Sequence, residues 1–374
     1  MKSKFSALIT IIIILTGIST LTAWEKEGRL KIQIALLLDT SSSMDGLIDQ
    51  ARSQLWKIIN ELAVTHKSGR TPALEVALFE YGKSSIPEGE GYLRMVTSFI
   101  NDLDKISAEL YSLTTNGGDE YCGMVIESAV KNLKWDGNND NLKLIFIAGN
   151  EPFDQGTVNY KTSVRLAKTK GIIVNTIFCG DRITGIKTYW KDGADLAWGN
   201  YISIDHNMQV LHIEAPQDAE ITQLGIELNN TYLAYGTAGK DKKARQKIQD
   251  SNAVKKSKAV AADRSISKAS EHYKNTDWDL VDAAASGKVD LEKIGQNELP
   301  SEIQDMSVKE RENYIIKMAK KREIIKARIN KLNEERKVYI REKQKENQSC
   351  STLDTAIIKS VREQAKKKNF QFKE

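Results

Sequence analysis

Alternating apolar strands and amphipathic helices over residues 28–208 predict an α/β fold, a doubly wound, mostly parallel, Rossmann-like sheet, followed by an α-helical C-terminal region. Three observations carry this prediction. The run Ile34-Ala35-Leu36-Leu37-Leu38 is apolar without alternation, as expected for a strand buried on both faces. The apolar runs are separated by helix-length stretches, which parallel strands need for their crossovers. Residues 301–345 contain neither Gly nor Pro and so read as one long helix.

Taken in order, 30–38 is the first strand and 47–62 an amphipathic helix. Residues 74–81 form a second strand and 92–99 a third, at an edge. A helix over 103–113 leads to the turn Thr114-Thr115-Asn116-Gly117-Gly118 and a helix over 121–133. The fourth strand is 142–147, followed by a helix over 158–170 and a fifth strand over 172–178. A helix over 190–198 and a strand over 201–204 close the sheet. In such sheets ligands bind at the carboxyl ends of the strands, and Asp39 stands at one.

The 374 residues suffice for a core domain and an appendage. Lys2 and Lys4 precede an apolar stretch over 5–15, and small residues lead to Ala23, so 1–23 reads as a signal peptide and the protein as exported, periplasmic or extracellular. Leu21, where a small side chain is preferred, leaves an uncleaved anchor as the alternative. The net charge of +5 is asymmetric. Residues 236–374 hold 33 Lys and Arg against 22 Asp and Glu, while the remainder is acidic. Both signs alternate along helices in the basic part, the pattern of a solvated helical surface rather than a nucleic-acid stripe.

The loop after the first strand reads Asp39-Thr40-Ser41-Ser42-Ser43, one carboxylate and two hydroxyls at alternate positions, oxygen ligands suited to a hard divalent cation. Serines here also suit the cap of the next helix. Asp-x-Ser-x-Ser behind an apolar strand resembles the first loop of the metal-ion-dependent adhesion site (MIDAS) of von Willebrand factor A (VWA) domains, and the strand–helix order over 28–208 is similar to theirs. The resemblance implies a non-enzymatic binding module in which Mg2+, Mn2+ or Ca2+ bridges the domain to an acidic group of a protein partner at the sheet rim. It assigns Asp39, Ser41 and Ser43 to the first loop. For the second loop, which carries Thr in the family, it implies Asp119, with Thr115 as the alternative; Asp119 and Glu120 equally suit a helix N-terminus. The third loop departs from the family, with Gly149 or Asn150 where an Asp is expected and Glu151 next along. Either Glu151 reaches in, or Asn150 binds through its carbonyl, or the site holds metal weakly or not at all.

Cys122 and Cys179 fall on the same predicted rim as Asp39, which favours a disulfide in an exported protein; two buried thiols or a soft-metal site are the other readings. Gly82-Lys83-Ser84 lacks the first glycine of a phosphate loop, since position 77 is Ala. There is no Gly-x-Ser-x-Gly elbow or His-Glu-x-x-His helix, and His66, His206, His212 and His272 are scattered. Nothing in the sequence speaks for catalysis.

Residues 209–262 read as a helix with the stripe Ile221, Leu224 and Leu228, then a loosely organised charged linker. Within 263–347, Ile315, Met318, Ile325, Ile329, Leu332 and Tyr339 fall on steps of three and four, with Arg322 and Arg336 filling two steps. This heptad seam either zips two chains into a homo-oligomer or packs within its own chain. Cys350 would bridge parallel partners or remain a free thiol. Residues 348–374 read as a basic, poorly ordered tail suited to an anionic envelope or membrane surface. The competing functional reading is a scaffolding envelope protein acting through these helices with a vestigial metal site.

Overall fold

The computed structural model describes residues 30–207, 212–346 and 353–372. Residues 1–23, read above as a signal peptide, and Cys350 lie outside them. The elements of the first part are β1 (Lys31–Asp39), α1 (Asp45–Ala63), β2 (Thr65–His66), β3 (Ala73–Tyr81), β4 (Leu93–Ile100), α2 (Leu103–Ser112), α3 (Cys122–Asn132), β5 (Leu142–Gly149), α4 (Tyr160–Thr169), β6 (Ile173–Cys179), α5 (Arg182–Lys187), α6 (Trp190–Leu196) and β7 (Tyr201–Ile204). Then follow α7 (Asp218–Asn229), α8 (Gly239–Lys256), α9 (Lys258–Ala269), α10 (Leu280–Ala285), α11 (Val308–Glu346), α12 (Leu353–Lys367) and β8 (Gln371–Phe372).

Six strands form the sheet in the order β4-β3-β1-β5-β6-β7. All neighbours are parallel except β4, which runs antiparallel to β3 at the edge. The doubly wound sheet expected from the sequence is therefore present. From β1 the chain builds first toward β3 and then, on the other side, from β5, so the order reverses between β1 and β5. That is the switch point where open α/β sheets leave a crevice. Asp39 and Gly149 end the two strands that flank it.

Both faces of the sheet are covered, which explains the unbroken apolar runs. Ile32, Ile34 and Leu38 of β1 and Leu144 and Phe146 of β5 pack with Leu47, Ile48, Leu55 and Ile59 of α1 on one face. Ala35, Leu37 and Ile147 pack with Val125, Ile126 and Val164 of α3 and α4 on the other.

Two C-terminal expectations are corrected. The segment read as a loose linker is mostly α8, with Gln246, Gln249 and Ala253 buried. The supposedly loose tail contains α12, whose Leu353, Ile357, Val361 and Ala365 join the same core as α1. Gln50 and Gln54 of α1 accept from the backbone N–H groups of Leu353 and Asp354 at 3.2 and 2.7 Å, capping α12 from its neighbour. Asn175 of β6 and Gln364 of α12 exchange two buried amide hydrogen bonds of 3.1 and 2.6 Å, and β8 pairs with β2.

The seam of α11 packs within its own chain. Ile325, Ile329 and Leu332 enter the main core, and Ile315 and Met318 join Leu280, Val281 and Ile303. The arginines at its polar steps are buried ion-pair partners. Arg322 binds Asp279 at 2.7 Å and Asp282 at 2.5 Å, and Arg336 binds Asp218 at 2.6 Å and Asp263 at 2.8 Å. Among the described residues no helix is long and apolar enough to cross a membrane.

Candidate functional site

Asp39 is fully buried at the end of β1. Its Oδ1 accepts from the Ser41 backbone N–H at 2.7 Å, while Oδ2 has no hydrogen-bond partner. Glycines hold it on both sides. A Cβ on Gly149 would fall 2.5 Å from the Tyr81 hydroxyl and 3.0 Å from Asp39 Oδ2. One on Gly82, whose φ is +76°, would fall 2.8 Å from Asp39 Oδ1. Burial raises the Asp39 carboxyl to about 7; the Glu151 charge adds to this and hydrogen bonds from Ser41 oppose it.

The Ser41 and Ser43 hydroxyls lie 3.3 Å apart beside this carboxylate. Asn150, just past β5, donates from Nδ2 to Ser43 Oγ at 3.2 Å, and its Oδ1 is buried without a partner. Glu151 accepts from Trp190 Nε1 through its backbone oxygen at 2.7 Å, while its carboxylate bears electrostatically on Asp39 and Glu120.

In the second loop the structure brings in Glu120. Asp119, the residue implied by the resemblance, is exposed and accepts from the Tyr121 hydroxyl at 3.3 Å. Thr115 donates from Oγ1 to Asp45. Glu120 is buried and lies against Gly82 as Asp39 does. Burial first, then the Asp39 and Glu151 charges, raise its carboxyl to about 8. The signal for Glu120 was available in principle, because residues 119–121 lack helical structure and successive side chains of extended backbone face opposite ways.

Among the described residues no group of three or more His, Cys, Asp or Glu is placed to hold a metal ion. A cation at this rim would therefore need the serine hydroxyls and the Asn150 amide oxygen beside the carboxylates. Two buried oxygens without partners, Asp39 Oδ2 and Asn150 Oδ1, next to two hydroxyls, suit a hard cation.

The expected Cys122–Cys179 disulfide is not formed, and both thiols are free and buried. Cys122 opens α3 on one face of the sheet, whereas Cys179 packs with Ile173 and Ile177 on the opposite face. The sheet lies between them. Cys122 instead donates to the Tyr81 hydroxyl at 3.8 Å.

No protein-family model and no curated protein matches the chain. Among solved structures it is similar to the SpRpn10 VWA domain, with 17% identity over 48% of this chain and 91% of that one and a TM-score of 0.37. It is also similar to the conserved hypothetical protein BatB from Bacteroides thetaiotaomicron, with 14% identity over 46% and 90% of the two chains and a TM-score of 0.35. A third is proximal thread matrix protein 1 from the mussel byssus with a zinc-occupied MIDAS motif, at 13% identity, 47% of this chain and a TM-score of 0.35; the match spans 42% of that protein. The parallel sheet that reverses its order beside β1, with the Asp-x-Ser-x-Ser loop at that point, is the arrangement that the resemblance to VWA domains implied.

Proposed function

We propose that this is an exported, non-catalytic protein-interaction module whose sheet rim holds a divalent cation, Mg2+, Mn2+ or Ca2+, and docks a protein partner there. The supporting observation is the buried Asp39 carboxylate, whose Oδ2 has no partner, beside the Ser41 and Ser43 hydroxyls and the partnerless Asn150 Oδ1. Asp39, Ser41, Ser43, Asn150 and Glu120 would hold the ion. The ion would supply positive charge that offsets the crowded carboxylates and an electrostatic bridge to the partner. Titration calorimetry of Mn2+ and Mg2+ into the protein tests this. Saturable binding lost in Asp39→Asn is expected. No heat in the parent protein overturns it.

A second reading, docking through the C-terminal helices, is favoured by one observation. Ile316, Ile324 and Val338 of α11 are 51%, 71% and 53% exposed. At 100° per residue they fall within about 80° of one another around the helix axis. A self-associating protein made monomeric by Ile324→Glu in light scattering would support it.

A further inference from the structure

We infer that the partner segment received at this rim is basic, a Lys- or Arg-bearing peptide segment of a protein, and not the acidic side chain that carboxylate capture would require. This rests on the docking reading above but not on its cation. Asp39 and Glu120 meet over Gly82, where a Cβ would fall 2.8 Å from each, and the Glu151 charge bears on both. With a divalent ion bound and the three carboxylates ionised, the pocket is still negative by one charge. A further carboxylate would meet like charge there.

The surrounding surface has the same sign. The rim loops 39–45, 82–92, 114–121 and 150–159 carry eight Asp and Glu against the single cation Lys83, and the segment 180–187 beyond β6 adds Asp181, Arg182 and Lys187. Lys83 is not available to an acidic partner. It is 9% exposed, with Nζ 2.9 Å from Thr114 Oγ1 and 3.4 Å from Glu80 Oε2.

Beside the pocket lies a receptor for a cationic side chain. Tyr92 and Tyr121 meet edge to face with ring centroids 5.5 Å apart. The Glu88 and Asp119 charges bear on both rings, and Asp119 accepts the Tyr121 hydroxyl. Aromatic rings with carboxylates at their rim attract guanidinium and ammonium groups by cation–π and Coulomb terms together. The arrangement is held in place. Tyr92 keeps a left-handed φ of 53°, uncommon outside glycine. The Tyr121 ring packs so close to Gly156 that a Cβ there would fall 2.6 Å from it. The short segment 119–121 serves both places, with Glu120 turned into the pocket and Asp119 and Tyr121 at the aromatic pair. The aromatic pair and the carboxylate pocket are therefore joined through one three-residue segment.

The test uses two blocked peptides of equal length, acetyl-Gly-Arg-Gly-Lys-Gly-amide and acetyl-Gly-Glu-Gly-Asp-Gly-amide. Each is titrated into the protein with Mn2+ and with EDTA, and Mn2+ binding is measured separately. The basic peptide is expected to bind about tenfold more tightly than the acidic one, and more weakly as salt is raised. The exposed substitutions Glu88→Gln and Asp119→Asn together should weaken it about fivefold with the melting temperature and Mn2+ affinity retained. Tighter binding of the acidic peptide, lost in EDTA, overturns the inference while upholding the cation. Mn2+ binding with no binding of either peptide also overturns it. Basic-peptide binding without Mn2+ binding upholds the inference and removes the cation from the proposed function.

Discussion

Asp39 carries an energetic burden that its hydrogen bonds only partly offset. Its carboxyl rises from 3.8 in an open chain to about 7 in the fold, and that of Glu120 from 4.5 to about 8. The folded state therefore holds these protons more tightly than the unfolded state. Their stabilising contribution is complete below about pH 4 and is lost as pH rises through about 7 to 8. The cation-free protein should accordingly lose several kcal/mol, at most about 7, of unfolding free energy between pH 5 and pH 8.5. Urea titrations across that range check this, and Asp39→Asn should flatten the dependence. Saturating Mn2+ should flatten it too if the rim binds the ion. The glycines beside this carboxylate are equally constrained. Gly149→Ala would press a methyl group into the Tyr81 hydroxyl and Asp39, and should cost about 1–3 kcal/mol, read as a lowered urea midpoint. The thiols behave as core residues. Without reductant, Cys122 and Cys179 should be alkylated by iodoacetamide after denaturation and protected before it, as peptide mass spectrometry would show. A disulfide-linked peptide pair would contradict the placement on opposite faces.

At the scale of elements, the polar steps in the α11 seam have a specific cause. Arg322 donates to Asp279, Asp282 and Thr231, and its guanidinium lies 4.1 Å from the centroid of Tyr232. Arg336 joins α7 and α9 through Asp218 and Asp263. These pairs set the register of a helix whose apolar seam alone would tolerate sliding by a heptad. Arg322→Leu leaves Asp279 buried without its partner and should cost about 3–5 kcal/mol in chemical denaturation. The double change Arg322→Leu with Asp279→Asn should recover part of that loss. Arg264 has the corresponding role between layers. It is buried between Asp104 of α2 and Asp250 of α8, 4.4 Å from the centroid of Trp56 in α1. The helices beyond the sheet are thus joined to those that flank it through buried, hydrogen-bonded charge.

Across the whole molecule, the chain returns at its C-terminal end to the sheet it began with. α12 covers the same face as α1, and its apolar side meets β5, β6 and β7. Deleting 353–374 should expose that face and abolish cooperative unfolding of the remainder, followed by circular dichroism. A synthetic 353–372 peptide added in trans should restore the transition. Retained cooperativity in the deleted protein would show that the sheet is stable without this layer.

Local patterning sufficed for the six strands of the main sheet, the edge position of β4 and the loop at the end of β1, though not for β2 and β8, because burial on both faces imposes continuous apolar runs and crossovers impose the intervening helices. The resemblance, not periodicity, grouped Asp39, Ser41, Ser43 and Asn150, and the loops after β1 and β5 adjoin because those strands are neighbours in the sheet. Tertiary structure decided what depends on which way a side chain faces. Glu120 rather than Asp119 is turned toward Asp39, and the two cysteines share a rim but lie on opposite faces of the sheet. It also decided the partners of the α11 seam and the docking of α12. Those outcomes depend on burial of charges and amides against segments far away in the chain, such as Arg322 with Asp279 and Gln364 with Asn175. No local periodicity encodes such pairings, because their stability comes from the low-dielectric surroundings that only the packed layers create.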